Sequence, residues 1–238
     1  MADGKDARMS TPLDAIVVAD GNREAFERVI DVTQKHDEPV RLFMVGPRGA
    51  GKTSLLRARA AERDLLSGRK AVVHAAAEMI NAIRMDAPDS FFEELGTVPV
   101  LLVDDFQDFF SDEEAGPLLC KLMLAERARL GLDTVLASDA PLSAFDLSAF
   151  EGTLDGFEEV RVEPLDEAGR RAFVLAMRNM FFEEGKSPEL SDEAVEALAA
   201  FSDDLTDVRH AVQYLVTAAG FPSDATLDVE TVKQALAS

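Results

Sequence analysis

Short, largely apolar runs alternate along the chain with longer stretches whose apolar residues recur at helical spacing. The runs fall at residues 40–45, 71–74, 98–103 and 134–137, with a shorter one at 160–162. Continuous rather than alternating apolar character marks a strand buried on both faces of a parallel sheet. Between the runs, residues 22–36, 52–66, 78–85, 90–95 and 112–130 predict helices, and Pro88 separates the third from the fourth. Pro99 stands at the start of its strand, where a missing N–H is tolerated. Strand and helix in alternation imply an α/β fold, a parallel sheet flanked by helices.

The pattern changes at Pro164. Residues 166–183, 191–201, 205–219 and 228–236 all carry helical periodicity, and no apolar strand run interrupts them. The expected organisation is a polar, disordered lead-in over residues 1–11, an α/β core over 12–163 and a small all-helical subdomain over 164–238. There is no internal repeat and no low-complexity tract.

Charge narrows the partners. The 238 residues carry 45 acidic against 24 basic side chains, a formal net charge of -21. Gripping nucleic acid by phosphate neutralisation needs clustered Lys and Arg, so neither nucleic acid nor an anionic membrane is expected as a partner of the chain by itself. The excess is spread out, with 14 acidic and 6 basic residues in 164–238. The single cysteine, Cys120, excludes a disulfide framework and a thiolate metal cluster and fits a reducing compartment. Its apolar neighbours make it a core residue rather than a reactive thiol. No run reaches the ~18 apolar residues of a membrane span. Residues 1–6 lack the basic start and apolar stretch of a secretory signal, so a cytoplasmic location is expected. His36, His74 and His210 are too scattered for a metal site.

The chemistry concentrates behind the first strand. Gly46, Pro47, Arg48, Gly49, Ala50, Gly51, Lys52 and Thr53, followed by Ser54, match the phosphate-binding pattern G-x-x-x-x-G-K-[ST] in full. Glycines let backbone N–H groups wrap phosphates, the Lys52 ammonium reaches the β- and γ-phosphates, and the Thr53 hydroxyl coordinates Mg²⁺. The helix that starts there adds the partial positive charge of its N-terminus. A bare pattern arises by accident, but this one sits between a predicted strand and a predicted helix, as the chemistry requires.

Two further strand ends carry acids. Leu101, Leu102 and Val103 lead into Asp104 and Asp105. Asp104 is expected on the Mg²⁺ side, and Asp105 is placed to polarise an attacking water. Turn acids at a strand end are common in so acidic a chain; the glycine-rich loop some fifty residues earlier is what favours the functional role. After the fourth strand, Asp139 is a polar group at the sheet's ligand edge. It reads either as a contact to the γ-phosphate or its water, or as a helix cap.

With these residues in view, the chain resembles the DnaA group of AAA+ ATPases, whose members include short Hda-like proteins. VLLVDDFQ (100–107) resembles that group's Walker B segment, and TVLASDAP (134–141) its sensor 1. LDAIVVADGNREAF (13–26) is similar to the segment that holds adenine, which implies a role for Val17 and Val18. AVVHAAAEMINAIRMDAPDSFFEEL (71–95) resembles the helical insertion after the second strand. Asp207, Val208 and Arg209 resemble the sensor 2 helix of the lid, which implies that Arg209 contacts nucleotide phosphates. Without the resemblance, Arg209 reads as a surface residue pairing with Asp203, Asp204 or Asp207. The similarity covers roughly residues 13–236, and its order and spacing are more specific than any one motif.

Departures from the group matter as much. Its arginine finger lies in a Ser-Arg-Phe-like motif after sensor 1, but residues 148–150 read Ser-Ala-Phe, and no Lys or Arg occurs from 130 to 160. Arginine fingers supply roughly 10³–10⁵ in rate, so hydrolysis within a head-to-tail assembly of this chain alone is expected to be crippled. Arg161 and Arg170 lie nearby but outside the motif. Neither the C-terminal DNA-binding helix-turn-helix domain of the group nor the Gln-Leu clamp-binding peptide of Hda-like proteins is expected of this chain. The insertion, which touches single-stranded DNA in initiators, holds Arg84 against Glu78, Asp86, Asp89, Glu93 and Glu94. Phe91 and Phe92 are expected to pack on the core rather than stack on bases.

The resemblance therefore implies an ATP- or ADP-binding protein with Mg²⁺ held alongside the nucleotide. It would be a slow ATPase switch acting in or on replication initiation through AAA+ or other replication proteins, a DnaA-like initiator among them. Nucleotide-dependent oligomers belong to the same expectation. Two alternatives stay open: a non-hydrolysing, nucleotide-stabilised interaction module, and an ATPase of the helicase-loader or transposition-helper type.

Overall fold

The structure, a computed structural model, describes residues 16–32, 38–66, 71–85, 89–111, 115–147, 153–181, 188–217 and 220–237. The five apolar runs form strands β1 (Arg41–Val45), β2 (Ala71–Ala75), β3 (Val100–Asp104), β4 (Asp133–Ser138) and β5 (Glu158–Arg161). All pair in parallel, in the order β2-β3-β4-β1-β5. The intervening helices are α1 (Asp20–Asp31), α2 (Lys52–Leu66), α3 (Ala76–Arg84), α4 (Asp89–Thr97) and α5 (Ala115–Leu130).

Strand side chains alternate between the two faces. Phe43, Val45, Leu101, Val103 and Leu136 face α3, α4 and α5, where they meet Met79, Ile80, Leu95, Cys120 and Met123. Leu42, Met44, Leu102, Val135 and Ala137 face α1 and α2, where they meet Val29, Leu55 and Leu56. Covering both faces is what makes the runs continuously apolar. Cys120 is fully buried, and burial pushes its thiol pKa up, as a core residue requires. Phe91 and Phe92 pack half-buried against the first of these clusters, edge to face with their ring centroids 5.4 Å apart.

Boundaries moved where neighbouring elements compete. α4 runs on to Thr97, so the apolar pair Val98 and Pro99 sits in a bend and β3 starts only at Val100. The helix expected over 22–36 ends at Asp31, and residues 33–37 lie outside the described set, as do 112–114 and the lead-in over 1–11. A 3-10 turn over Phe106–Phe110, which periodicity did not indicate, buries Phe106 and Phe109 directly behind β3.

Beyond β5, α6 (Glu167–Phe181), α7 (Asp192–Ala199), α8 (Leu205–Thr217) and α9 (Val229–Leu236) pack around Val174, Val195, Leu198, Val208, Val212 and Leu215. The expectation of purely helical structure here is corrected by one small sheet: β6 (Glu189–Leu190) pairs in parallel with β7 (Thr226–Leu227). Two residues per strand are too few to leave a period-2 signal in the sequence. The pair leads into α7 and α9, capped by the Ser191 and Asp228 side chains. The passage from sheet to lid is pinned by backbone. Val162 N–H donates to the Val45 carbonyl and Glu163 N–H to the Gly21 carbonyl, both at 2.8 Å.

Candidate functional site

Strand order places the chemistry. β3, β4 and β1 are neighbours, so the chain segments leaving their carboxyl ends lie side by side at one edge of the sheet. In a parallel α/β sheet this is the ligand edge.

The loop from Gly46 to Gly51 leaves β1 and enters α2 at Lys52. Its glycines are dictated by space and dihedral angle. A Cβ at Gly46 would stand 2.1 Å from the Val162 carbonyl oxygen, and Gly49 and Gly51 adopt φ of 74° and 100°. Left-handed backbone turns the loop around its own N–H groups, with Ala50 buried beneath and Pro47 and Arg48 exposed. Lys52 is only 6% exposed. Its Nζ donates to the Gly46 carbonyl (2.6 Å), the Pro47 carbonyl (2.9 Å) and Asp139 Oδ1 (2.8 Å). A buried ammonium must be paired and fully hydrogen-bonded to be tolerated, and this one uses all three of its donors.

Asp139 thus pairs with the lysine across the β1–β4 ladder instead of capping a helix. Ser138, fully buried at the end of β4, accepts from the Ala140 N–H and gives its carbonyl to Gly46 N–H, both at 3.2 Å.

β3 delivers Asp104 and Asp105. Asp104 is 5% exposed, and its pKa is raised chiefly by burial, against the lowering effect of a hydrogen bond from Thr53. Thr53 and Asp104 therefore stand within hydrogen-bond reach of each other, while Ser54 is exposed on α2. Asp105 has φ 52° and ψ 46°, the one non-glycine residue with positive φ among the described residues. Asp tolerates that region better than most residues, at a cost of about 1–3 kcal/mol, and such outliers gather at functional sites. Gln107, which the sequence reading quoted but did not assign, ties two strand ends together. Its Nε2 donates to Asp105 Oδ1 and its Oε1 accepts from Asp139 N–H, both at 3.2 Å. Asp108 adds a further carboxyl, its pKa raised by burial and then by Asp105, Asp139 and Asp104.

The lid reaches the same place. Leu205, the first residue of α8, donates its N–H to the Gly49 carbonyl at 3.2 Å. Arg209 lies one turn along from Leu205, on the same face of α8. It is exposed and has no hydrogen-bond or ion-pair partner among the described residues. Arg209 pairs with none of the neighbouring acids: Asp203 binds Arg170 (2.9 Å), Asp204 accepts from Thr206 N–H and Asp207 accepts from Ser202. Arg170 also donates to the Ala199 and Leu165 carbonyls, which fixes it inside the lid. Val17 and Val18 are half-buried on the strap before α1, where Asn22 donates to the Val17 carbonyl and accepts from Ala19 N–H, both at 2.8 Å. Residues 148–150, which lack the finger arginine, lie outside the described residues.

Comparison with known proteins agrees with this fold. The family model of the bacterial DnaA ATPase domain matches residues 9–154. The chromosomal replication initiator protein DnaA of Lactiplantibacillus plantarum is 36% identical over 108 residues, a match spanning 43% of this chain and 24% of that protein. The chain thus spans about a quarter of the length of that relative. Among solved structures, domain III of the Thermotoga maritima replication initiation protein DnaA superposes with a TM-score of 0.80 at 20% identity, covering 94% of this chain and 95% of that one. AMPPCP-bound DnaA from Aquifex aeolicus superposes with a TM-score of 0.70 at 23% identity, covering 88% and 65%.

Proposed function

From a chain that belongs to the bacterial DnaA ATPase-domain family, we infer an ATP-binding AAA+ switch, slow in hydrolysis by itself, that acts in or on replication initiation through protein contacts. The observation that carries the reading is the buried Lys52, held between the loop carbonyls and Asp139 beside a lid that touches Gly49. The AMPPCP bound by the Aquifex relative supports it.

The residues present fit the nucleotide. Residues 46–54 would hold the phosphates, Val17 and Val18 the base, and Arg209 would reach the phosphates from the lid. Thr53 and Asp104 would hold Mg²⁺. Among the described residues no group of three or more His, Cys, Asp or Glu side chains is placed to hold a metal. Mg²⁺ would arrive with phosphate oxygens and take only one or two protein ligands. A divalent cation would also offset the charge of Asp104, whose burial is otherwise costly. ATP supplies the phosphoanhydride bond whose cleavage distinguishes the two states of the switch. Asp105 accepts a proton from the attacking water. Its Oδ1 is already held by Gln107, which leaves Oδ2 for that task. The contact of α8 with the loop lets the lid follow what the loop holds, the two-state element a switch needs.

The test is equilibrium ATP and ADP binding together with turnover, for the full chain and for Lys52→Ala. Micromolar or tighter binding lost in the variant, with slow turnover that rises beside an arginine-finger-bearing DnaA-like partner, supports the switch. Tight binding without turnover, even beside that partner, leaves a nucleotide-stabilised interaction module. No binding at all sinks both.

A further inference from the structure

A second feature lies on the α4–α5 face of the sheet. α5 is apolar on two sides. Gly116, Leu119, Cys120, Met123 and Leu124 are buried against the sheet, whereas Leu118 and Leu122, one turn apart, are 58% and 63% exposed. The outer face of a helix on a globular domain is ordinarily polar. Leu118 and Leu122 form one wall of a groove of about 400 Å³ between α5 and α4, and Phe92, Leu95 and Gly96 form the other. Ile83 also lines it, and the adjoining Met85 is 81% exposed. Contiguous exposed apolar surface of this kind marks a docking site.

Charge selects the occupant. Over residues 76–97 and 112–126 there are nine acidic side chains and two basic ones, Arg84 and Lys121. Asp89 and Glu93 are exposed on α4, and Ala115, the first residue of α5, lines the groove. Glu126 at the groove is held by Arg129 at 2.6 Å, so Asp89 and Glu93 set the charge of the α4 side. A second copy of the chain, at net charge -21, would meet like charge there, and so would a nucleic acid strand. We propose that the α4–α5 groove docks an amphipathic helix of another protein, its apolar stripe entering between Leu118 and Phe92 and its flanks carrying Lys and Arg. Helix-in-groove recognition needs apolar anchors at i, i+4 and i+7, and Leu118 with Leu122 present the matching one-turn spacing.

The experiment uses the full chain and three labelled 18-residue helical peptides followed by fluorescence anisotropy. One has Leu at i, i+4, i+7 and i+11 with Lys on its flanks, the second has Glu on its flanks, and the third scrambles the first. The proposal expects saturable binding of the Lys-flanked peptide, at least tenfold weaker in Leu118→Ser/Leu122→Ser and weakened by salt, with ATP binding unchanged. Exposed leucines can be replaced without unfolding, and an unaltered Tm confirms it. Equal binding of the scrambled or Glu-flanked peptide, or no effect of the double variant, overturns the proposal. So does a wild-type dimer in sedimentation that the double variant abolishes, since a second copy would then own the groove. None of these outcomes depends on the nucleotide site.

Discussion

The backbone N–H of Leu205 donates to the Gly49 carbonyl across 3.2 Å, so the first turn of α8 rests on the glycine-rich loop. Packing there is tight: a Cβ on Gly49 would lie 2.0 Å from Asp204 Oδ1. The same carboxylate oxygen accepts from Thr206 N–H at 2.7 Å and so caps α8. An acid needed for the helix is thereby set against the loop expected to hold phosphates.

Asp204→Asn separates those two roles, because the amide oxygen still accepts from Thr206 while the charge is gone. ATP should bind about 5-fold more tightly to the variant, the effect of roughly 1 kcal/mol of relieved repulsion in a partly solvated site. Calorimetric titration at low salt and at about 0.5 M salt checks this, and the gain should shrink as screening rises. A loss of affinity would show instead that the carboxylate's cap, not its charge, matters to the loop.

Hydrolysis should depend on the acid at the strand end and on the amide that orients it. Asp105→Asn is expected to lower kcat by about 10²–10⁴, the usual weight of a general base, with the ATP dissociation constant nearly unchanged. Gln107→Ala should lower kcat less, by about 10-fold, since it frees Asp105 Oδ1 without removing the carboxylate. Single-turnover measurements separate these effects from binding. Weakened binding in the Gln107 variant with kcat preserved would assign Gln107 to the fold alone.

Asp104 trades stability for its place at the site. Burial raises its folded-state pKa above the usual carboxylate value. By linkage, a raised pKa favours the folded state most fully below the unfolded pKa, and that advantage is lost as pH rises through the folded one. At neutral pH the ionised group is therefore a burden on the nucleotide-free protein. Asp104→Asn, which keeps an acceptor for Thr53, should have a higher Tm than wild type at pH 7 without nucleotide. The gain should shrink as pH falls toward 4. With ATP and Mg²⁺ the order should reverse, because the variant loses the ligand-linked stabilisation. A Tm below wild type at pH 7 without nucleotide would contradict this.

Much of this candidate site is legible in the sequence, because phosphate loops and acid-tipped strands are local signals. Gly46 to Thr53 and Asp104 to Asp105 are contiguous, and strand order alone brings them together. What stayed hidden depends on contacts across distant segments. The partner of Lys52 lies 87 residues away at Asp139, and nothing at Asp204 announces that it will stand over Gly49. Periodicity likewise registers that α5 is apolar without saying that Leu118 and Leu122 face outward.

Arg127 was hidden for the same reason. It is one of two arginines in the last turn of α5, yet it is 1% exposed, while Arg129 forms an exposed pair with Glu126. Arg127 Nε donates to Thr134 Oγ1 (2.8 Å), and Nη1 to the Leu95 and Val98 carbonyls (both 3.0 Å). Nη2 donates to the Asp133 carbonyl, and burial holds the guanidinium pKa down to about 10. The side chain thus joins the end of α4, the bend before β3 and the start of β4. Arg127→Met fills the volume but strands three carbonyls away from water, which should cost about 3–5 kcal/mol. In a chain of this size that lowers Tm by roughly 6 °C or more. Arg127→Lys should recover little, because one ammonium cannot span a fork of four acceptors. Arg129→Met, losing only a surface pair, should cost far less than either change at 127. Denaturant titration of the three variants decides the matter: similar losses at 127 and 129 would mean that water reaches the carbonyls and that the arginine is not what joins the two helices to the sheet.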